Sequence, residues 1–476
     1  MWTLAILGAA LGAGASARAQ STSATTGGTP VRFSADFRVS GDARFSNNSD
    51  QEETTIAVNP RDPLNLVAGY HDTREINPIP GAEICRFAYS TDGGATWTAG
   101  GQTPLEEEPS QTFCADPSIA ADANGVFYYA YLDVNGPTST VKHVDLLVAR
   151  STDGGRTFPA YSVAAVQTET FPDIDKPYMG VDVGSKSRFK GAIYVSFTHA
   201  EADIRVVTSR DGARTWSAPS VLESSQGVTF VQGSLPVVAP DGSVYVFWAK
   251  YDLGSGPTNI RFARSQDGGK SWTVPQDVAS GLPSPGEFRL KNDDPNFGIT
   301  PGHGLLSNSL PTAAIAPNGD IFVAWTDFTR GSCNAFGLTS TNAAACTNSD
   351  VRLAVSRNAG KSWTAPIKVS DETGASDQFF PWIATHPNGL LSLMWVDRRL
   401  DPNNVNYDIF YTNTFDGKEF LPNVRVTSVT SVLGDFNWIG DYTAVAATDG
   451  AVFPVWTDLR FVTNREVFTA TGRLGP

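Results

Sequence analysis

Three short elements of the form Asp-x-Arg recur along the chain: Asp72 with Arg74, Asp397 with Arg399, and Asp458 with Arg460. A guanidinium is a planar fork that grips a carboxylate through two parallel hydrogen bonds, so three of them converging would clamp an anionic ligand. Carboxyls and phenols stand at a second set of recurring positions: Glu52 and Glu53, Asp116, Asp175 with Lys176 and Tyr178, Asp377, and Asp441 with Tyr442. Of these, Glu52, Glu53 and Asp441 are candidates for acid–base work, and Tyr442 for a phenol nucleophile activated by a neighbouring carboxylate. Tyr178, Asp72, Asp397 and Asp458 join the arginines as candidate binding residues. A structural reading stands beside the functional one. Residues two apart on a strand project to the same side, so each Asp can neutralise its own Arg, and the tyrosines can line a packed channel.

Residues so placed need a repeating scaffold, and the sequence supplies one. The segments STDGGATW (90–97), STDGGRTF (151–158), SRDGARTW (209–216), SQDGGKSW (265–272) and SRNAGKSW (356–363) share one template, and TFDGKEF (414–420) is a shortened sixth copy. Their acidic or amide positions, Asp92, Asp153, Asp211, Asp267, Asn358 and Asp416, recur at about 60 residues, with one longer interval before Asn358. The template suits a hairpin connection: the Asp side chain accepts backbone N–H bonds and the glycines take positive φ. A second repeat, two apolar strands around a Gly turn, includes residues 116–133, 235–252, 310–327, 380–397 and 441–458, with looser copies at 54–72 and 177–199. Seven such units against six boxes predict an all-β, seven-bladed β-propeller of four-stranded antiparallel blades; a six-bladed ring is the alternative. The last unit ends after a third strand at 465–474, whereas residues 37–42 (FRVSGD) look like the fourth strands at 367–372 and 424–429. The N-terminal strand should therefore complete blade seven and close the ring, removing exposed sheet edges.

The boxed template resembles the Asp-box, or BNR-repeat, of the sialidase superfamily, over essentially everything after the leader. Sialidases hold a substrate carboxylate with an arginine triad and use a Tyr-Glu pair as nucleophile and an Asp as acid/base. The resemblance thus implies a propeller that recognises or hydrolyses acidic extracellular glycans, with an exo-sialidase-like glycoside hydrolase as its concrete form, and Arg74, Arg399 and Arg460 as material for the triad. The family's Phe/Tyr-Arg-Ile-Pro signature is absent from this chain. A non-catalytic extracellular or cell-surface binding scaffold is the rival reading, and a polysaccharide lyase a third.

Bulk properties narrow the partners. A formal charge of −14 and a pI near 4.8 give no basic footprint for nucleic acid. Residues 1–19 read as a signal peptide ending in Ala17-Arg18-Ala19, residues 20–30 as a flexible leader, and 31–476 as a single propeller domain secreted to the periplasm or outside the cell. No later segment has the length of a membrane span. The four cysteines, an even number, suit an oxidising compartment, with Cys85 paired to Cys114 and Cys333 to Cys346. Their spacings lack the Cys-x-x-Cys pattern of a zinc site, so no metal or other cofactor is expected; the partner that the resemblance implies is a carbohydrate or glycoconjugate, and a monomer is expected. Two segments, 273–304 and the Cys-bounded 333–346, read as insertions on the site face near blade five, with His303 in the first.

Overall fold

In the computed structural model the apolar alternation of the repeats becomes a ring of sheets stacked face to face. The structure describes residues 27–40, 50–72, 84–106, 112–135, 143–166, 174–200, 202–227, 229–252, 258–283, 286–296, 303–328, 348–461 and 464–475. Among them the strands form seven blades and one two-stranded ribbon. Blade one is Gln51–Asn59, Asp62–Asp72, Ile84–Ser90 and Thr98–Gln102, each strand antiparallel to the one before. Blades two to six repeat that order from Thr112, Ile174, Thr229, Thr312 and Gln378. The first strand of each blade lies against that of the next, and Ala444–Ala447 of blade seven returns to Gln51–Asn59 of blade one.

Second strands are sandwiched between neighbouring blades and are therefore apolar on both faces. Trp248, Trp325, Trp395 and Trp456, at one equivalent position in blades four to seven, are fully buried. The N-terminal segment supplies the fourth strand of blade seven: residues 37–39 lie beside its third strand as expected, and the pairing begins further upstream, at Val31. Val31–Phe33 pairs with Gly472–Leu474, and Phe37–Arg38 with Glu466–Thr469. Phe33 fixes this register by packing edge-on against Tyr411 of blade six, ring centroids 5.2 Å apart.

Each Asp-box turn is stitched the same way. In blade four Asp267 Oδ1 accepts the backbone N–H groups of Lys270 and Ser271 at 3.0 and 2.9 Å, and Oδ2 the Ser271 hydroxyl at 2.6 Å. Asp92, Asp153 and Asp211 accept the matching bonds, Asn358 accepts from Ser362 N, and Asp416 from Lys418 N and Glu419 N. The hydroxyl and amide of Ser271 hold the Asp267 carboxyl well below the usual carboxylate range, and Thr215 does the same for Asp211. A Cβ at Gly269, whose φ is +86, would lie 2.7 Å from the Thr208 hydroxyl of blade three, so that glycine also permits the blades to approach.

Cys85 of blade one and Cys114 of blade two form a disulfide between neighbouring sheets, their Cα atoms 5.4 Å apart. Cys333, Cys346 and the segment between them lie outside the described residues, as do residues 1–26. Of the segment 273–304, Gln276–Leu282 is the outer strand of blade four, because every box turn leads directly into such a strand. The true insertion is a ribbon, Glu287–Leu290 paired with Leu305–Asn308. It buries Phe288, Leu290 and Leu305 against Phe379, Phe380 and Leu433. No helix among the described residues is long and apolar enough to cross a membrane.

Candidate functional site

Five first strands slip register at the same height: between Glu52 and Thr55, Ala115 and Ser118, Asp175 and Tyr178, Gln232 and Leu235, and Phe379 and Trp382. Within each slip one residue is left-handed: Glu53, Asp116, Lys176, Gly233 and Phe380, with φ of 53°, 52°, 48°, 66° and 48°. Four of the five are not glycine, and each such residue costs about 1–3 kcal/mol unless its surroundings hold it. Here the blades hold one another: Asp116 N–H donates to Glu53 Oε2 at 3.3 Å, and Lys176 N–H to Asp116 Oδ2 at 3.2 Å. One step further along, Ile119 N–H donates to Thr55 Oγ1 at 2.9 Å and Met179 N–H to Ser118 Oγ at 3.1 Å. A bulge re-aims the side chain it carries.

The re-aimed groups meet on the ring axis. Lys176 of blade three reaches Asp441, at the start of blade seven, with Nζ to Oδ2 of 2.6 Å. Tyr178 of blade three packs on Tyr442 of blade seven and Trp382 of blade six, at 5.2 and 5.3 Å between ring centroids. Blade three neighbours neither blade six nor blade seven, so these contacts exist only where the ring narrows to its channel. Asn308 of the ribbon donates to the Asp441 carbonyl at 3.0 Å, placing the ribbon beside this mouth. Glu53, Asp116, Lys176, Tyr178 and Tyr442 are all buried, and Asp175, Asp441 and Trp382 are half-buried.

Charge is crowded here. Burial, then the like charges of Asp116 and Asp441, pushes the Glu53 carboxyl well above the usual carboxylate range. Burial, then the Asp175 charge, pushes Asp116 up to about 7. Burial opposes the charge of Lys176, but Asp175, Asp441, Asp116 and Glu53 outweigh it and raise the pKa of the ammonium well above its ordinary value. Tyr178 and Tyr442 are pushed well up by burial and then by Glu53 and Asp116, so both stay phenols. The Tyr178 hydroxyl, buried among these charges, has no hydrogen-bond partner among the described residues. The cluster can therefore keep a carboxylic acid protonated beside a Lys-paired carboxylate, which is the pairing of groups that acid-assisted cleavage of an acetal uses.

Other sequence-derived candidates sit elsewhere. Glu52 points away from the axis, fully buried, with His71 Nδ1 and Arg465 Nε each 3.3 Å from its carboxylate. Arg399 donates to Asp397 at 2.9 Å, to Asp371 at 2.6 Å and to Asn423 at 3.0 Å. Arg460 donates to both oxygens of Asp458 at 2.8 Å and to Asp36 at 2.7 Å. Their guanidinium groups are thus consumed by chain carboxylates, the pairing that residues two apart make easy. Asp397 and Asp458 also accept the indole N–H of Trp395 and Trp456 at 2.7 and 2.9 Å, so these Asp-x-Arg elements anchor core tryptophans. Arg74 lies outside the described residues; Asp72 pairs with Arg86 at 3.0 Å. Asp377 accepts from Ser349 N–H at 3.0 Å and Asn404 at 2.6 Å, and His303 pairs with Asp294 in the ribbon. Lys176, Asp116 and Trp382 carry more of the site than their sequence context advertised. The signal was the repeat column itself, the position that holds Glu53, Asp116, Lys176, Phe380 and Asp441 in aligned units. Clefts also occur elsewhere, one of about 580 Å³ along blades two and three beside Trp216, another of about 520 Å³ at the opposite mouth beside His386. Neither gathers acid–base groups as the mouth does, so the site is assigned by chemistry rather than by volume.

A family model described as the BNR/Asp-box repeat matches residues 88–99, the blade-one box with the end of the strand that leads into it. The chain is an Asp-box β-propeller. No curated protein sequence matches it significantly. Solved structures similar to this Asp-box propeller include a protein of unknown function from Dyadobacter fermentans, 12% identical over 94% of this chain and 99% of that one, with a TM-score of 0.48. An α-L-arabinofuranosidase of Fusarium graminearum is 12% identical over 78% of this chain and 95% of its own, TM-score 0.46. A sialidase of Trypanosoma rangeli is 12% identical over 93% of this chain and 59% of its own, TM-score 0.43. At this identity the likeness concerns the fold.

Proposed function

We propose that this Asp-box propeller is an exported, glycan-directed protein that holds a sugar at the axial mouth and cleaves its glycosidic bond there. The observation that carries the reading is the buried carboxyl pair, Glu53 and Asp116, both pushed up by burial, set beside the Asp441–Lys176 ion pair and the half-buried face of Trp382. An acid that keeps its proton near neutral pH can deliver it to a leaving oxygen, while an ionised carboxylate stabilises the positive charge that develops on the sugar. An aromatic face suits the apolar side of a pyranose or furanose ring. Tyr442, held as a phenol beside a protonated Glu53, lacks an activated base, which favours direct carboxyl chemistry over a phenolate nucleophile. The sialidase-like form of the reading, on acidic glycans, would need guanidinium groups free to grip a carboxylate, and Arg399 and Arg460 are engaged by Asp397, Asp371, Asp458 and Asp36. The leader and the oxidising surroundings that suit the Cys85–Cys114 bridge support export.

A binding scaffold remains the second reading, favoured by the depth at which Glu53 and Asp116 are buried. Turnover on a panel of chromogenic glycosides separates the two. Asp116→Asn and Glu53→Gln should each lower kcat by about 10²–10⁴-fold while sugar affinity, read by calorimetry, is kept. Sugar binding without turnover in the wild type, or full turnover in both variants, would leave the scaffold in front.

A further inference from the structure

The charge balance of the mouth bears on which sugar can enter it. Four carboxyls, Glu53, Asp116, Asp175 and Asp441, surround one ammonium, Lys176, and that ammonium already lies 2.6 Å from Asp441 and 3.8 Å from Asp175. Gln232 adds neutral support, donating to Asp175 at 2.7 Å and accepting from Tyr251 at 2.8 Å. Among the described residues no guanidinium lies in this cluster. Nor are the two described Asp-x-Arg guanidinium groups available to move in, since each is held by two carboxylates. Two hydrogen-bonding features nevertheless await a ligand. The Tyr178 hydroxyl is buried without a partner among the described residues, and the Asp175 carboxylate is exposed over 37% of its side chain at the rim. A phenol and a carboxylate can donate to and accept from neutral hydroxyls, whereas an incoming carboxylate would meet Asp175 and Asp441 as like charges in a partly desolvated site.

Building on the proposal that the mouth holds a sugar, we infer that it selects an uncharged sugar ring and rejects uronates and sialates, with Asp175 and Asp441 as the excluding charges and the Tyr178 hydroxyl as a recognition group. This reverses the preference that an arginine clamp would give.

The test uses the full mature protein and an array of matched glycans in which each acidic sugar is printed beside its uncharged counterpart: glucuronate with glucose, galacturonate with galactose, sialate with its methyl ester. Neutral members should bind, and each acid should bind on the order of tenfold or more weakly at low salt, because a like-charge contact at an interface costs several kcal/mol. The gap should narrow as salt screens the half-exposed Asp175, and narrow again in Asp175→Asn. Tyr178→Phe, which keeps the ring packing on Tyr442 and Trp382, should weaken the neutral members by removing one hydroxyl. Equal or tighter binding of the acids would overturn this selectivity while leaving the sugar site standing. Silence across the whole array, with the protein folded by its melting curve, would overturn the sugar site and the selectivity with it.

Discussion

Asp116 shows what the left-handed bulge does at the scale of one residue. Its carboxyl is buried, its backbone amide is spent on Glu53, and its Oδ2 accepts from Lys176 N–H, so the proton it holds is part of the folded state. An unfolded Asp titrates near 4, whereas burial and the Asp175 charge bring Asp116 to about 7. The folded chain thus binds more protons than the unfolded one between those values, and stability must fall as pH rises through that window. The contribution is complete below pH about 4 and gone above about 7. Asp116→Asn mimics the protonated form and should lose this slope, so the melting temperature of the variant relative to wild type should climb between pH 5 and pH 8. A constant difference across that range would show that Asp116 is ionised throughout. At this scale the sequence was legible in part. Glu53, Asp441, Tyr178 and Tyr442 stood out as chemistry at strand starts, but Glu53 could not be told from Glu52 without the bulge that turns one to the axis and the other towards His71.

The elements explain why some of the pattern was easy to read and some was not. Asp boxes and Gly-turn hairpins announce themselves because the turn demands particular side chains, and the same bonds recur from Asp92 to Asp416. The bulges on the first strands demand only a left-handed backbone, and Glu, Asp, Lys, Gly and Phe all fill it, so no residue type marks them. The Asp-x-Arg elements were visible, yet their partners were not. Asp36, Asp371 and Asn423 come from a blade-seven closing strand and from loops of blades five and six, which only the ring brings together. The boxes belong to the opposite face from the site, as contacts between box and hairpin turns show: Gly93 N–H donates to the Leu64 carbonyl at 2.9 Å, and Asn65 donates to that of Gly154 at 2.9 Å. Asp267→Ala should therefore destabilise the protein by about 0.5–2 kcal/mol, the cost of losing a side-chain cap on backbone N–H groups, measured by denaturant unfolding. Ligand affinity should not change. A normally folded variant that lost its ligand would move the site to the box face.

At the scale of the whole molecule the site exists because the ring is closed. Lys176 meets Asp441, and Tyr178 meets Trp382 and Tyr442, across the channel rather than along the chain, so any opening of the ring between blades seven and one acts on the site directly. The closing segment is short but heavily tied. Val31–Phe33 and Phe37–Arg38 pair with the last strands, Ser34 N–H donates to the Thr471 carbonyl at 2.9 Å, and Val39 N–H to that of Val467 at 2.9 Å. Asp36, between the two paired stretches, accepts from Ser428 N–H at 2.8 Å and from Arg460 at 2.7 Å. Deleting residues 31–38 would strip those bonds, leave the inner Arg460–Asp458 pair with one carboxylate fewer, and expose the edge from Glu466 to Leu474 to solvent. Arg460 keeps its bonds to Asp458, so the lost strand and its backbone bonds carry most of the effect, and the melting temperature should fall clearly. The bare edge should also make the variant self-associate, because unpaired strand edges are templates for pairing. A synthetic peptide spanning residues 27–40 should restore the melting temperature in trans by adding the missing strand. Glycan binding should be lost and regained with it, since the axial contacts depend on the same closure. Unchanged melting after the deletion would show that blades three, six and seven hold the axial cluster without the N-terminal strand, and restored melting without restored binding would show that closure by that strand does not by itself rebuild the mouth.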